Sequence, residues 1–150
     1  MAAFNNNKPY SKDFNRAETP QKSFPQGYLK GGYFEDGSLK REFVLGYAAT
    51  IADMIATDRN AISKGKLRKY YDEVVNAYEA FERRLLSEKE AIHRVERLYA
   101  PAYSDVSKQK APKQFAEFIK INLDNIKTAK DLKAFKEHFE SIVCFYPDKK

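Results

Sequence analysis

The sequence predicts an all-α protein, a single bundle of about five helices preceded by a flexible N-terminal tail. Apolar residues recur at three- and four-residue steps through residues 38–150, as on the buried face of a helix. No segment alternates apolar and polar residues between turn signals, as a half-buried strand does. With 150 residues, 43% of them hydrophobic, the chain can bury one core. We therefore expect a tail over residues 1–37 and one helical domain over residues 38–150.

The predicted tail is rich in residues that oppose regular structure. It contains a run of asparagines at 5–7 and then prolines and glycines: Pro9, Pro20, Pro25, Gly27, Gly31, Gly32 and Gly37. Residues 1–30 carry five basic and two acidic side chains, a local charge of +3. This stretch either contacts RNA or is simply disordered.

Two helices are predicted in the next part of the chain. The first covers about 39–57, with Ser38 as its N-cap. Its apolar stripe contains Phe43, Tyr47, Ile51, Met54 and Ile55. The second helix starts near Ser63 and extends into the region of Leu85, because apolar and aromatic residues recur at helical spacing from Leu67 onward.

Three further helices follow. Ser87 and Glu90 have capping-box spacing, so a third helix is predicted to start there, and Pro101 marks its end or a kink. Pro112 suits the first turn of a fourth helix. Its stripe contains Phe115, Phe118, Ile119, Leu123 and Ile126.

Thr128 is predicted to cap the last helix and Pro147 to end it. The apolar stripe of this helix contains Leu132, Phe135, Phe139, Ile142 and Tyr146. Its steps of three and four are close to a heptad seam. The helix therefore packs partly on a second copy of the chain, or it is the central helix of a monomeric bundle; periodicity alone favours neither.

Residues 63–71, with the sequence SKGKLRKYY, are the strongest local charge signal. They contain Lys64, Lys66, Arg68 and Lys69 without an acidic residue. A helix N-terminus adds free N–H donors and a partial positive charge, so this segment predicts a phosphate-binding site. We expect Lys64 and Arg68, together with Lys69, to lie on the accessible side. A solvated helix end would give the same pattern.

Other basic residues lie in the middle of the chain. Lys108, Lys110 and Lys113 form a second acid-free stretch, predicted in the loop between the third and fourth helices. Lysines in loops bind phosphate as flexible point charges. Four arginines, Arg83, Arg84, Arg94 and Arg97, are accompanied by glutamates on the same predicted helices, so we interpret most of them as members of intrahelical ion pairs.

The sequence has no constellation that predicts catalysis, a metal site or a cofactor. We interpret His93 and His138 as surface or boundary residues, and Cys144 as a small buried hydrophobic residue. A single cysteine excludes an internal disulfide and favours a reducing, cytoplasmic location. No apolar run is long enough for a membrane span. The net charge of +6 favours an acidic partner.

Three segments resemble the small subunit of the Csm (type III-A) CRISPR RNA-guided effector complex. They are LRKYYDEV at 67–74, Pro101-Ala102-Tyr103 with the residues before it, and AFKEHFESIVCFY at 134–146. The likeness covers about residues 35–147. Lys66 stands where many relatives have Gln, and an Arg found in relatives a few residues beyond the second segment is missing. Lys108 is the candidate to replace it.

The resemblance implies a non-catalytic helical subunit that assembles in several copies with the other subunits of the complex. It implies contact with single-stranded target RNA and with the guide RNA duplex. The implied RNA-binding residues are Lys64, Lys66, Arg68 and Lys69, joined by Lys108 and Lys110. Two other functions fit the residues: a helical DNA-binding regulator that uses residues 63–85, and a protein-interaction adaptor. The acidic residues of that helix oppose the first.

Overall fold

The bundle is organised around its C-terminal helix. The computed structural model describes residues 23–148. The elements in this range are β1 (Phe34–Glu35), β2 (Ser38–Leu39), a 3-10 helix (Arg41–Phe43), α1 (Gly46–Ala56), α2 (Lys64–Glu82), α3 (Glu88–Glu96), α4 (Tyr99–Ser107), α5 (Lys113–Asp124) and α6 (Ala129–Phe145). Helix α6 packs against α1, α2 and α3, and α4 packs against α5. The predicted all-α bundle is confirmed.

The heptad-like stripe of α6 is filled by the chain itself. Leu132, Phe135, Phe139 and Ile142 each have 0% of their surface exposed. Of the two interpretations that the sequence left open, the central helix of one bundle is therefore correct for this stripe. Phe145, beside it, is 49% exposed.

Side-chain caps define the starts of three helices. Ser87 and Glu90 form the predicted capping box of α3, and Thr128 forms one with Asp131 at the start of α6. The Ser63 hydroxyl accepts a hydrogen bond from the Lys66 amide and caps α2. These short polar side chains satisfy amides that have no partner within the helix.

The predicted third helix is two helices, because Pro101 cannot continue the first. Pro101 has no N–H to donate to the carbonyl of Arg97, and its ring would clash there. The chain instead tightens, with the Leu98 amide bonded to the Val95 carbonyl. It then restarts as α4 with Pro101 in the first turn, where no intrahelical donor is required.

Two boundaries in the first half differ from the prediction. Ser38 does not cap a helix but pairs with Glu35 in a hairpin. Its two-residue turn is Asp36-Gly37, and both residues have positive φ, as a tight hairpin turn requires. Leu85, predicted in the stripe of the second helix, follows the end of α2 and is 72% exposed.

Residues 23–37 are folded onto the bundle, contrary to the predicted tail. Leu29 and Tyr33 are only 5% and 1% exposed, and both belong to the main core. The remainder of the predicted tail, residues 1–22 with its local positive charge, lies outside the described residues.

His138 ties this N-terminal segment to the interior. It is fully buried, which corrects its assignment as a surface or boundary residue. Its Nδ1 bonds to the Phe43 carbonyl at 2.6 Å, and its Nε2 bonds to the Tyr28 hydroxyl at 2.7 Å. Because the carbonyl can only accept, Nδ1 carries the proton and Nε2 accepts from Tyr28. The Tyr28 hydroxyl in turn accepts from the side-chain amide of Asn122 at 2.9 Å.

Two further findings concern the chemistry of the fold. Cys144 is exposed, so the prediction that it is a buried hydrophobic residue was wrong. Within residues 23–148, no group of three His, Cys, Asp or Glu side chains could hold a metal ion. In the same range, every helix is too short or too polar to cross a membrane.

Candidate nucleic-acid interface

The basic segment 63–71 lies at the start of α2, as predicted. Leu67 is fully buried and Tyr70 is 7% exposed, so this face holds the helix to the bundle. Lys64 and Lys66 are partly buried, whereas Arg68 and Lys69 are exposed. The sequence-predicted cations therefore divide into two pairs with different surroundings.

Lys64 and Lys66 are engaged by carboxylates from distant parts of the chain. The Lys64 ammonium lies 3.0 Å from Asp148, and that of Lys66 lies 3.4 Å from Asp105. Asp148 is largely exposed, at 86% of its side chain, and such pairs contribute little stability. Lys64 is thus less accessible than predicted, because an acid near the C-terminus covers it.

Asp105 is held more firmly than Asp148. Its side chain is only 13% exposed, and it also accepts a 2.6 Å hydrogen bond from the Tyr70 hydroxyl. Burial, reinforced by this bond to a carboxylate, raises the pKa of Tyr70 far above its usual value. The phenol therefore stays a donor and helps to fix Asp105 beside Lys66.

Arg68 and Lys69 have no carboxylate within ion-pair distance among residues 23–148. Both side chains leave α2 on exposed positions. They are the cations of the basic segment that the described part of the chain leaves available to an external anion.

A cleft between α2 and α4 joins the two basic stretches predicted from the sequence. It has a volume of about 400 Å³, and its polar lining includes Lys66 and Lys69 from α2 and Lys108 from the end of α4. Leu98 and Pro101 form part of its apolar wall. Residues about forty positions apart thus share one surface, hereafter called the α2/α4 cleft.

Lys110 and Lys113 do not line this cleft. The Lys110 amide closes the end of α4 on the Asp105 carbonyl at 2.8 Å, and its side chain is exposed beyond the helix. Lys113 is the first residue of α5 and lines a separate groove. The loop stretch is therefore split, with Lys108 alone reaching the cleft.

The acids of the cleft already have partners. Asp105 is bonded to Lys66 and Tyr70, as described. Glu73 lies 3.6 Å from Arg94 of α3. Both carboxylates that line the cleft are therefore paired, and Lys69 and Lys108 are available to an anion.

The interpretation that most of the four arginines form intrahelical ion pairs was wrong. Arg94 pairs across helices with Glu73, and Arg83, Arg84 and Arg97 have no carboxylate partner within residues 23–148. The expected acids act elsewhere. Glu82 accepts from the Tyr78 hydroxyl, and Glu90 completes the cap of α3.

The fold and the cleft define a small helical protein with a basic surface between two of its helices. The model of the family described as Csm2 Type III-A matches residues 38–147, and the chain belongs to this family. The resemblance found in the sequence is thereby confirmed. Comparisons with curated proteins and with solved structures gave no match. Family membership makes the chain a small subunit of the type III-A CRISPR complex, which assembles with the other subunits.

Proposed function

We propose that this chain is a non-catalytic subunit that binds the backbone of target RNA, single-stranded or paired with the guide. The observation that carries the proposal is the convergence of Lys69 and Lys108 on the α2/α4 cleft. The two lysines come from separate acid-free stretches of the sequence, and the fold brings them into the lining of the same cleft. Their ammonium groups suit phosphates, which they bind with little sequence preference.

A subunit of this kind needs little base recognition. In RNA-guided complexes, base pairing between guide and target reads the sequence, and the protein binds shape and backbone. Flexible lysines in an open cleft meet that requirement. A sequence-reading helix would require directed contacts to base edges, and α2 continues from its basic start into the exposed acids Asp72, Glu73 and Glu79.

The proposed contacts have a rank order. Arg68, Lys69 and Lys108 come first, since no carboxylate of residues 23–148 holds them. Lys64 follows, because its pair with the exposed Asp148 is easily exchanged for a phosphate. Lys66 is held by a nearly buried acid and mainly raises the local potential. Lys110 lies at the rim beyond α4.

We also propose that several copies act together on one RNA. A few surface cations give weak, salt-dependent binding per copy. Linking copies along one strand raises the effective concentration of each further contact. Light scattering during titration with a long RNA tests this, and particles that hold one protein at every ratio contradict it.

The cleft is tested with the double variant Lys69→Ala/Lys108→Ala. We expect weaker binding of single-stranded RNA and a log-log salt slope smaller by about 1.4, at roughly 0.7 per lost phosphate contact. Thermal stability should stay nearly unchanged, because neither side chain has an ion-pair partner among residues 23–148. Gel-shift titrations at several salt concentrations measure both quantities.

The matched control is Lys30→Ala/Arg41→Ala. It removes the same charge from exposed positions ahead of α1 that do not line the cleft. Equal RNA affinity in the two double variants would contradict the cleft and favour a protein-interaction adaptor. A preference for one duplex DNA sequence would favour a regulator.

A further inference from the structure

Four basic side chains that the sequence interpretation had set aside lie near the two ends of α3. Arg94 and Arg97 line a shallow groove of about 280 Å³ together with Leu86, Glu90 and His93. Arg83 and Arg84 are exposed at the turn that precedes the groove. These four arginines are hereafter called the arginine strip.

The strip is continuous with the α2/α4 cleft. Glu73 lines the cleft and Arg94 lines the groove, and their charged groups lie 3.6 Å apart. Leu98, the neighbour of Arg97, lies in the cleft wall. Arg94 and Arg97 thus lie next to the cleft that holds Lys69 and Lys108.

The four arginines outnumber the three carboxylates that lie in the groove or pair with its residues, Glu73, Glu90 and Glu96. The carboxylate of Glu90 lies in the groove but accepts the Ser87 amide at 2.8 Å and is fixed by that cap. Glu96 lies 3.1 Å from His93. The strip therefore presents more positive than negative charge, and three of its four guanidinium groups lack a carboxylate within residues 23–148.

Arginine is the cation best suited to this geometry. Its planar group donates two parallel hydrogen bonds to one phosphate and is weakly hydrated, so exposed arginines in a row favour a phosphodiester backbone. From its N-cap Ser87 to its C-cap Arg97, α3 rises about 15 Å. At the roughly 3.4 Å per nucleotide of a B-form DNA strand, this length corresponds to about four steps, so a nucleic-acid backbone along α3 covers several nucleotides.

Arg84 occupies a backbone conformation that usually belongs to glycine. It adopts φ of 61° at the end of α2, and the following amides, of Leu85 and Leu86, bond back to the Ala80 carbonyl. Glycine is the usual residue at such a helix end, because it has no Cβ to strain this conformation. An arginine there is locally unfavourable.

We propose that the arginine strip is a second RNA-backbone contact, which continues the path of the strand out of the α2/α4 cleft and along α3. This inference rests on the proposed function, because it extends the same RNA beyond the cleft. A purely structural role is the alternative, since cations near the end of a helix also complement its dipole.

The test compares the variants Arg94→Ala/Arg97→Ala and Arg84→Gly with Lys30→Ala/Arg41→Ala. Each protein is titrated with a single-stranded RNA of about fifteen nucleotides. This RNA is long enough to span both the strip and the cleft at the spacing given above. We expect Arg94→Ala/Arg97→Ala to lower affinity severalfold beyond the control and to reduce the salt slope by about 1.4. Arg84→Gly should bind RNA more weakly and yet melt at a higher temperature. A structural role cannot produce those two opposite changes.

Arg94→Lys/Arg97→Lys keeps the charge near the end of α3 and loses the paired donors. It should bind better than the alanine variant and less tightly than the unmodified chain. If both arginine variants match the control while Lys69→Ala/Lys108→Ala weakens binding, the strip is refuted and the cleft stands. If the strip variants weaken binding and the cleft variant does not, the proposed cleft fails and the RNA lies along α3 alone.

Discussion

His138 is a buried, neutral imidazole, and both of its ring nitrogens form hydrogen bonds. Burial lowers the pKa of His138 from 6.5 to about 4, against a smaller opposing effect of its bond to the Phe43 carbonyl. A charged imidazole would be poorly solvated at this position. Its Nε2 would carry a proton and could no longer accept the hydrogen bond from the Tyr28 hydroxyl. His138 therefore contributes a pH dependence to the stability of the fold.

We predict that the free energy of unfolding falls as the pH drops from about 6.5 to about 4. The unfolded chain binds the proton near pH 6.5, and the folded chain binds it only near pH 4, so protons favour unfolding between these values. At about 1.4 kcal/mol per pKa unit, the loss approaches roughly 3 kcal/mol. Urea unfolding at several pH values in this window measures it.

Carboxylates also titrate at the acidic end of that window, so His138→Phe is the reference. That variant leaves the Tyr28 hydroxyl without its acceptor and should be less stable at pH 7. Its stability should nevertheless vary less between pH 6.5 and 4 than that of the unmodified chain. Parallel pH profiles for the two proteins would show that another group is responsible.

The sequence contained a signal for His138 and none for the ion pairs. His138 lies three residues after Phe135 and four before Ile142, on the buried stripe of α6, so its burial follows from helical spacing. The partners of Lys64 and Lys66 are different. Asp148 and Asp105 are 84 and 39 residues away, and only the packing of helices brings them close.

At the level of elements, local chemistry predicted the helix starts well where polar caps were present. The caps of α3 and α6 were identified from Ser87 and Thr128. Ser38 was misassigned because the preceding Asp36-Gly37 pair, a strong hairpin signal, was read as part of a tail. Pro101 indicated a break, and the structure shows why it divides one predicted helix into α3 and α4.

The start of α6 is fixed by two contacts, its own N-cap and a hydrogen bond to α3. The Thr128 hydroxyl accepts from the Asp131 amide at 3.2 Å, and Glu88 of α3 accepts from the Ala129 amide at 2.7 Å. Thr128→Ala should lower the free energy of unfolding by about 1 kcal/mol, the usual effect of losing an N-cap hydroxyl. Thr128→Ser keeps the hydroxyl and should stay close to the unmodified protein in urea unfolding. A serine variant as unstable as the alanine variant would point to the lost methyl group instead.

At the level of the whole molecule, local signals indicated the helices but not how surfaces combine. Lys69 and Lys108 were each recognised as basic, yet their meeting in one cleft depends on α4 lying beside α2. The arginines were judged by sequence distance to glutamates, and those glutamates form other bonds. Side-chain partners across helices are fixed by tertiary packing, which periodicity does not encode.

The N-terminal boundary of the folded domain depends on how residues 23–37 pack against the helices. A chain that begins at Ser38 would lose Leu29 and Tyr33 from the core, at roughly 1.5–3 kcal/mol for each buried side chain. It would also remove the Tyr28 and Tyr33 hydroxyls, which bond to His138 and Asn122. Each polar group left unpaired inside costs about 1–3 kcal/mol more.

We therefore predict that a chain beginning at Ser38 is destabilised by about 5 kcal/mol or more, which is comparable to the whole stability of a small domain. Urea unfolding followed by circular dichroism compares it with a chain that begins at Ser23 and keeps the segment. Tyr28→Phe/Tyr33→Phe in the longer chain separates the loss of hydroxyls from the loss of rings, and it should fall between the two. An equal urea midpoint for both truncated chains would mean that residues 23–37 are dispensable and that the boundary expected from composition at residue 38 was the correct one.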